Sequence, residues 1–151
     1  MTRRALILMA SGGSAAMLAG AFLFQALGFA PCMMCLWQRW PHAAAVVLGG
    51  VALVAVSGQR TLACLGAFAA LTTAGLGLYH TGVERAWWDG PGTCSGISTI
   101  NLEDPLSTDI EPIVMCSDVT WSLFGLSMAS YNALFSLLLA MIWIGAATRR
   151  A

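Results

Sequence analysis

The sequence has no lysine, and charge of any kind is scarce: 9% of its 151 residues, with seven arginines balanced by seven aspartates and glutamates. A soluble domain devotes about a quarter of its residues to charge, so a water-soluble core wrapped in a polar shell is excluded. With no basic run, the chain offers no surface for nucleic acid either. Hydrophobic residues instead reach 58%, and the mean hydropathy is +0.77. These proportions belong to an integral membrane protein.

Four runs hold most of the apolar mass: about 5–30, 41–56, 62–79 and 121–147. The third, about 18 residues, spans roughly 27 Å at the helical rise, just enough for a hydrocarbon core of about 30 Å. The second is long enough only if Leu36 to Trp40 continues it at the interface, with Pro41 costing a backbone hydrogen bond and bending the helix there. Gly49, Gly50, Gly66, Gly75 and Gly77 lie inside the runs, where small residues let backbones approach in lipid. The expected fold is all-α, a four-transmembrane-helix bundle forming one membrane domain over residues 1–151, with a long second outer loop at about 80–120.

Arginine placement sets the expected orientation. Arg3, Arg4, Arg60, Arg149 and Arg150 flank one side, whereas Arg39, Arg85 and every acidic residue flank the other. Both termini are therefore expected in the cytoplasm. The start "MTRRALILMASGGSAAMLAGA" has the charged and apolar parts of an export signal, but its apolar run continues to Ala30 and three more follow, so an uncleaved first span is expected.

This orientation puts four of the five cysteines, Cys32, Cys35, Cys94 and Cys116, on the outer side. In a bacterium that side is the periplasm, where disulfides form and persist. Cys64 falls on the cytoplasmic half of the third run and reads as a small buried hydrophobe without chemistry. Two structural disulfides would be the ordinary use of four outer cysteines. A Cys-x-x-Cys bridge, however, closes too small a ring to stabilise much, and the spacing recurs where a disulfide must open and close. Zinc would want two short-spaced pairs, yet Cys94 and Cys116 stand 22 positions apart, and Leu36 occupies the place a haem-attaching histidine needs. Met33 and Met34 fit apolar filling better than copper, so no metal is expected. If Leu36 to Trp40 is helical, Arg39 faces the same way as Cys35 and would hold it as thiolate.

"PCMMCLWQRW" and "CSDVTWSLFGLSMASYNALFSLL" resemble the redox motif and the post-cysteine segment of the bacterial disulfide bond formation protein B (DsbB) family. The resemblance covers nearly the whole chain. It implies an inner-membrane oxidoreductase that reoxidises a DsbA-like periplasmic thiol oxidase and passes the electrons to ubiquinone or menaquinone. It further implies that Cys94 takes the partner's attack, that the freed Cys116 attacks Cys32, and that Cys35 leaves as a thiolate facing the quinone beside Arg39. His80, at the outer end of the third run, becomes either a second quinone contact or an interfacial histidine. His42 reads as interfacial. Trp37, Trp40, Trp87, Trp88 and Trp121 read as membrane-interface anchors, with Trp37 also a candidate for packing on the quinone. The segment between the loop cysteines departs from the family pattern. It is acidic, broken by Pro105 and Pro112, and without an apolar stripe at helical spacing, so no membrane-lying helix is expected there. Two other readings stay open: a non-catalytic four-span scaffold, and electron flow in the reducing direction.

Overall fold

The apolar runs become four helices in the computed structural model, which describes residues 1–55, 57–94 and 114–149. These are α1 (Arg3–Ala26), α2 (Met33–Val54), α3 (Gln59–Glu84) and α4 (Met128–Thr148). A 3₁₀ turn at Gly92–Cys94 follows α3, and a two-stranded hairpin, β1 (Ser122–Leu123) with β2 (Leu126–Ser127), precedes α4. Each helix packs on its chain neighbour, and α4 closes back on α1. The guanidinium of Arg3 bonds the Arg149 carbonyl and, at 3.2 Å, that of Ala146, so the two ends of the chain meet at one end of the bundle.

The bundle is built inside out relative to a soluble one. Its centre is small, with Ala10, Ala52, Ala63, Ala70 and Ala140 gathered around Ile7 and Trp143, whereas Val54 is 81% exposed and Phe68 71%. Large apolar side chains outside and small ones at the helix contacts are the arrangement lipid favours. At Gly66 the packing is so close that an added Cβ would lie 2.6 Å from the Trp143 ring. Three helices, α1, α3 and α4, are long and apolar enough to cross a membrane. The fourth, α2, has 22 residues, but its first half carries Gln38, Arg39 and His42.

Several boundaries differ from the sequence expectation, each for a local reason. Helix α2 starts at Met33 and runs through Pro41, because Cys32 caps its first turn and Pro41 does not end it. Helix α1 stops at Ala26, where Gly28, at φ +96°, reverses the chain and the Phe29 amide bonds the Phe24 carbonyl at 3.1 Å. Helix α4 starts at Met128 rather than at Trp121. The residues before it turn through Phe124 (φ 50°) and Gly125 (φ 76°), the left-handed pair a two-residue hairpin turn demands. Ser127 then caps α4, its Oγ accepting the Ser130 amide at 3.2 Å. Cys64, expected to be buried, is exposed on the bundle's outer face, since its position on α3 points away from the helix contacts. The expectation of no membrane-lying helix between the loop cysteines concerns residues 95–113 and lies outside the described residues.

Candidate functional site

The turn after α1 delivers Cys32 to the N-cap of α2. There its Sγ accepts the Cys35 amide N–H at 3.3 Å, the place a serine or aspartate oxygen usually takes. The Cys35 sulfur lies 2.9 Å from that of Cys32. Hydrogen bonding from the Cys35 thiol, then from His80, holds the Cys32 thiol well below the ordinary range, at about 4, against burial, which pushes it up. The open amides at the start of α2 act in the same direction. The sequence expectation put the thiolate on Cys35. The contacts around Cys32 instead favour the charged form of that sulfur.

Cys94 and Cys116 form a disulfide, and it joins Cys32, Met34 and Val83 in one buried cluster with Cys35 packed against it. Cys32, Cys35, Cys94 and Cys116 thus converge. Both residues of the pair are buried, Cys116 fully and Cys94 slightly less so, at 8% exposure. His80 sits between the two pairs, its Nε2 3.1 Å from the Cys116 carbonyl and 3.6 Å from Cys32 Sγ. Glu84, one turn further along α3, is 4.0 Å from the same nitrogen and accepts the Ser127 hydroxyl.

Behind His80 runs a polar network whose proton positions follow from three backbone carbonyls. Gln38 Nε2 donates to the Met34 carbonyl at 3.2 Å and to His80 Nδ1 at 3.0 Å. His80 therefore carries its proton on Nε2, which donates to the Cys116 carbonyl, and presents an N–H rather than a lone pair to Cys32. Gln38 Oε1 accepts from Asn132 Nδ2 at 2.6 Å, and the same Nδ2 reaches the Thr73 carbonyl at 3.4 Å. Asn132 Oδ1 is then an acceptor, taking the N–H of His42 Nε2 at 2.9 Å. The network ties α2 to both α3 and α4. Breaking it would leave buried polar groups unpaired, at about 1–3 kcal/mol each.

Cys35, Gln38, Arg39, His42, His80 and Trp121 line a cavity of about 360 Å³ whose remaining wall is mostly apolar, a volume suited to a small organic ligand. Arg39, half-buried, donates through Nη1 to Gln25 Oε1 at 2.8 Å and lies over the Phe22 ring at 4.8 Å, while its Nε is buried without a partner among the described residues. Of the residues expected at the site, the structure brings together Cys32, Cys35, Cys94, Cys116, His80 and Arg39. Trp37 is left outside: 38% exposed, it is absent from the cavity wall because the helical turn from Cys35 to Arg39 carries it to the outer face. Trp121 is the tryptophan that lines the cavity, in edge contact with Phe24 at 5.3 Å. Gln38, His42, Asn132 and Glu84 also belong to the surroundings of the site. Their only sequence signal is a polar side chain within or at the edge of an apolar run, which marks function more often than not.

Similarity to known proteins agrees with this geometry. The profile of the family described as "Disulfide bond formation protein DsbB" matches residues 3–146. A disulfide bond formation protein B from Verminephrobacter eiseniae is 32% identical over 156 residues, covering 97% of this chain and 86% of the relative. Proteins of the same name from Acidovorax sp. and Polaromonas sp. are 30% and 28% identical, over 92% and 100% of this chain and 84% and 94% of theirs. No solved structure matches the chain.

Proposed function

The chain belongs to the disulfide bond formation protein B family, and from that premise we propose that it is a quinone-dependent thiol oxidase that reoxidises a DsbA-like periplasmic dithiol protein. In this reading α2 is the fourth span and the cysteines face the periplasm of a bacterial inner membrane. The observation that carries the reading is the placement of Cys35. It touches the disulfide cluster on one side and opens on the apolar cavity on the other.

The relay is thiol–disulfide exchange, in which a thiolate attacks one sulfur and the other leaves. A thiolate of the partner attacks Cys94, the less deeply buried residue of the pair, and Cys116 leaves. Cys116, already in the cluster with Cys32, attacks Cys32 of an oxidised Cys32–Cys35 bridge, and Cys35 leaves into the cavity. The partner's second thiol releases the oxidised partner, leaving Cys94 as a thiolate. Cys94 closes on Cys116 and frees Cys32. The two electrons then rest on Cys32 and Cys35, with Cys94–Cys116 oxidised, which matches the bonding described above. His80 N–H stabilises negative charge on Cys32, and Glu84 is near enough to exchange a proton with His80.

The cavity fits a quinone ring. Its wall is mostly apolar, and the buried, unpartnered Arg39 Nε lacks the kind of acceptor a ring oxygen supplies. A quinone held there by Arg39 and the Trp121 side would supply the two-electron acceptor that side chains cannot. Purified protein mixed with a reduced thioredoxin-like dithiol protein and a short-chain quinone should oxidise one dithiol per quinone lost. Thiol oxidation that proceeds equally well without quinone, or none at all, would count against this function.

A further inference from the structure

A second residue of the cavity wall carries a buried polar atom without a partner among the described residues. His42 follows Arg39 by three residues on α2, which puts both on one face. His42 lines the cavity at only 4% exposure, and its Nδ1 meets no hydrogen-bond partner among the described residues. An unpaired polar atom in such a place is costly unless a ligand completes it.

The network fixes what kind of partner that atom lacks. Asn132 Oδ1 is an acceptor, because Asn132 Nδ2 is committed to Gln38 Oε1 and the Thr73 carbonyl. His42 Nε2 must then carry the ring proton, and in neutral His42 Nδ1 is a bare lone pair. Arg39 Nε, the other unpaired atom, is an N–H and can only donate. Two residues in the wall of one apolar cavity therefore carry, unpaired, a donor and an acceptor. A ring carbonyl oxygen satisfies Arg39 but offers nothing to Nδ1, whereas a ring hydroxyl satisfies Nδ1.

We propose that His42 Nδ1 accepts a hydrogen bond from the hydroxyl of a reduced, hydroquinone-type ring in this cavity, so that His42 tightens binding of the reduced ring relative to the oxidised one. This rests on the quinone reading above and deepens it. The overall exchange is dithiol plus quinone giving disulfide plus hydroquinone, two electrons and two protons moving together. A contact made by the product alone favours that direction, at the cost of slower product release.

The test is equilibrium binding of a short-chain quinone and of its hydroquinone to the purified full chain carrying Cys35→Ser, which cannot exchange electrons with either. Quenching of Trp121 fluorescence gives the readout. Adding His42→Phe, which keeps a planar ring, should weaken hydroquinone binding by about two- to tenfold, the worth of one net hydrogen bond, and leave quinone binding nearly unchanged. A tenfold change in that ratio lowers the midpoint potential of the bound ligand by about 30 mV for a two-electron couple. Equal weakening of both forms, or an unchanged ratio, overturns the role of His42 alone. If the parent protein binds neither form, the quinone reading fails and the inference with it. Should His42→Phe not fold, the parent decides: the dimethyl ether of the hydroquinone, which has no hydroxyl to donate, should bind at least about twofold more weakly than the hydroquinone, and parity overturns the proposal.

Discussion

Cys32 is both the cap of a helix and a member of the inner thiol pair, and the two roles share one cause. The amide that caps the helix by donating to Sγ also favours the charged form of that sulfur, as do the Cys35 thiol and His80. A thiol held at about 4 is ionised above that pH and protonated below it. Ultraviolet thiolate absorbance of the fully reduced protein should therefore persist from about pH 8 down to about pH 5, be lost below about pH 4, and vanish in Cys32→Ser. An absorbance that disappears near pH 8 would assign Cys32 an ordinary thiol. Arg39 poses the opposite case, since the structure ties it to Gln25 and Phe22 rather than to Cys35. Arg39 still lines the cavity and its Nε has no partner among the described residues, and a hydrogen bond from a charged donor is worth about 1.5–3 kcal/mol, so Arg39→Gln should raise the KM for quinone about 10- to 100-fold. Lysine should rescue only in part, lacking the forked donor geometry. Unchanged steady-state constants in folded protein would leave Arg39 a structural clamp between α1 and α2.

At the scale of elements, Ser127 joins three parts of the fold. It ends the β1–β2 hairpin, caps α4 through the Ser130 amide, and gives its hydroxyl proton to Glu84 on α3. Losing an N-cap costs about 0.5–2 kcal/mol, so Ser127→Ala should lower the melting temperature in mild detergent while Ser127→Thr, which keeps the oxygen, should not. Equal melting of all three proteins would remove the cap from the account. Ser127 also illustrates what could be read in advance. Apolar run length located all four helices, because lipid leaves the backbone few other choices. The hairpin was missed, since Trp121 to Leu126 is as apolar as the helix it precedes and only the left-handed pair Phe124–Gly125 sets it apart. Cys32, Cys35 and Arg39 were legible as a group from their close spacing along α2, although Arg39 bonds Gln25 rather than the expected Cys35. The contacts of Gln38 and His42 with Asn132 were not, because 94 and 90 residues separate the partners and only packing brings α2 and α4 together.

For the whole molecule, the distribution of groups between the two ends of the bundle is what a membrane must respect. Arg3 and Arg149 meet at one end, and the disulfide cluster with its cavity occupies the other end of α2 and α3. In the proposed relay Cys94 meets the partner first, so in Cys116→Ser the free Cys94 thiolate should attack the disulfide of the oxidised partner and hold it as a mixed disulfide that Cys116 cannot resolve, and Cys94→Ser should not. Trapping through Cys116 in the second variant would reverse the order. Orientation follows from the arginine asymmetry, which expects the cysteine end in the periplasm. After reduction, a membrane-impermeant thiol reagent added to spheroplasts should label Cys94 and Cys116. Cys64 separates two kinds of shielding. It is exposed on the outer face of α3, so the bilayer rather than the protein covers it, and it should resist the impermeant reagent from either side yet react with a lipid-soluble maleimide. Cys64→Ala should also retain turnover, since the side chain touches no part of the relay. Loop cysteines that label only from the cytoplasmic side would invert the molecule in the membrane and separate its cysteines from the oxidising compartment the relay needs.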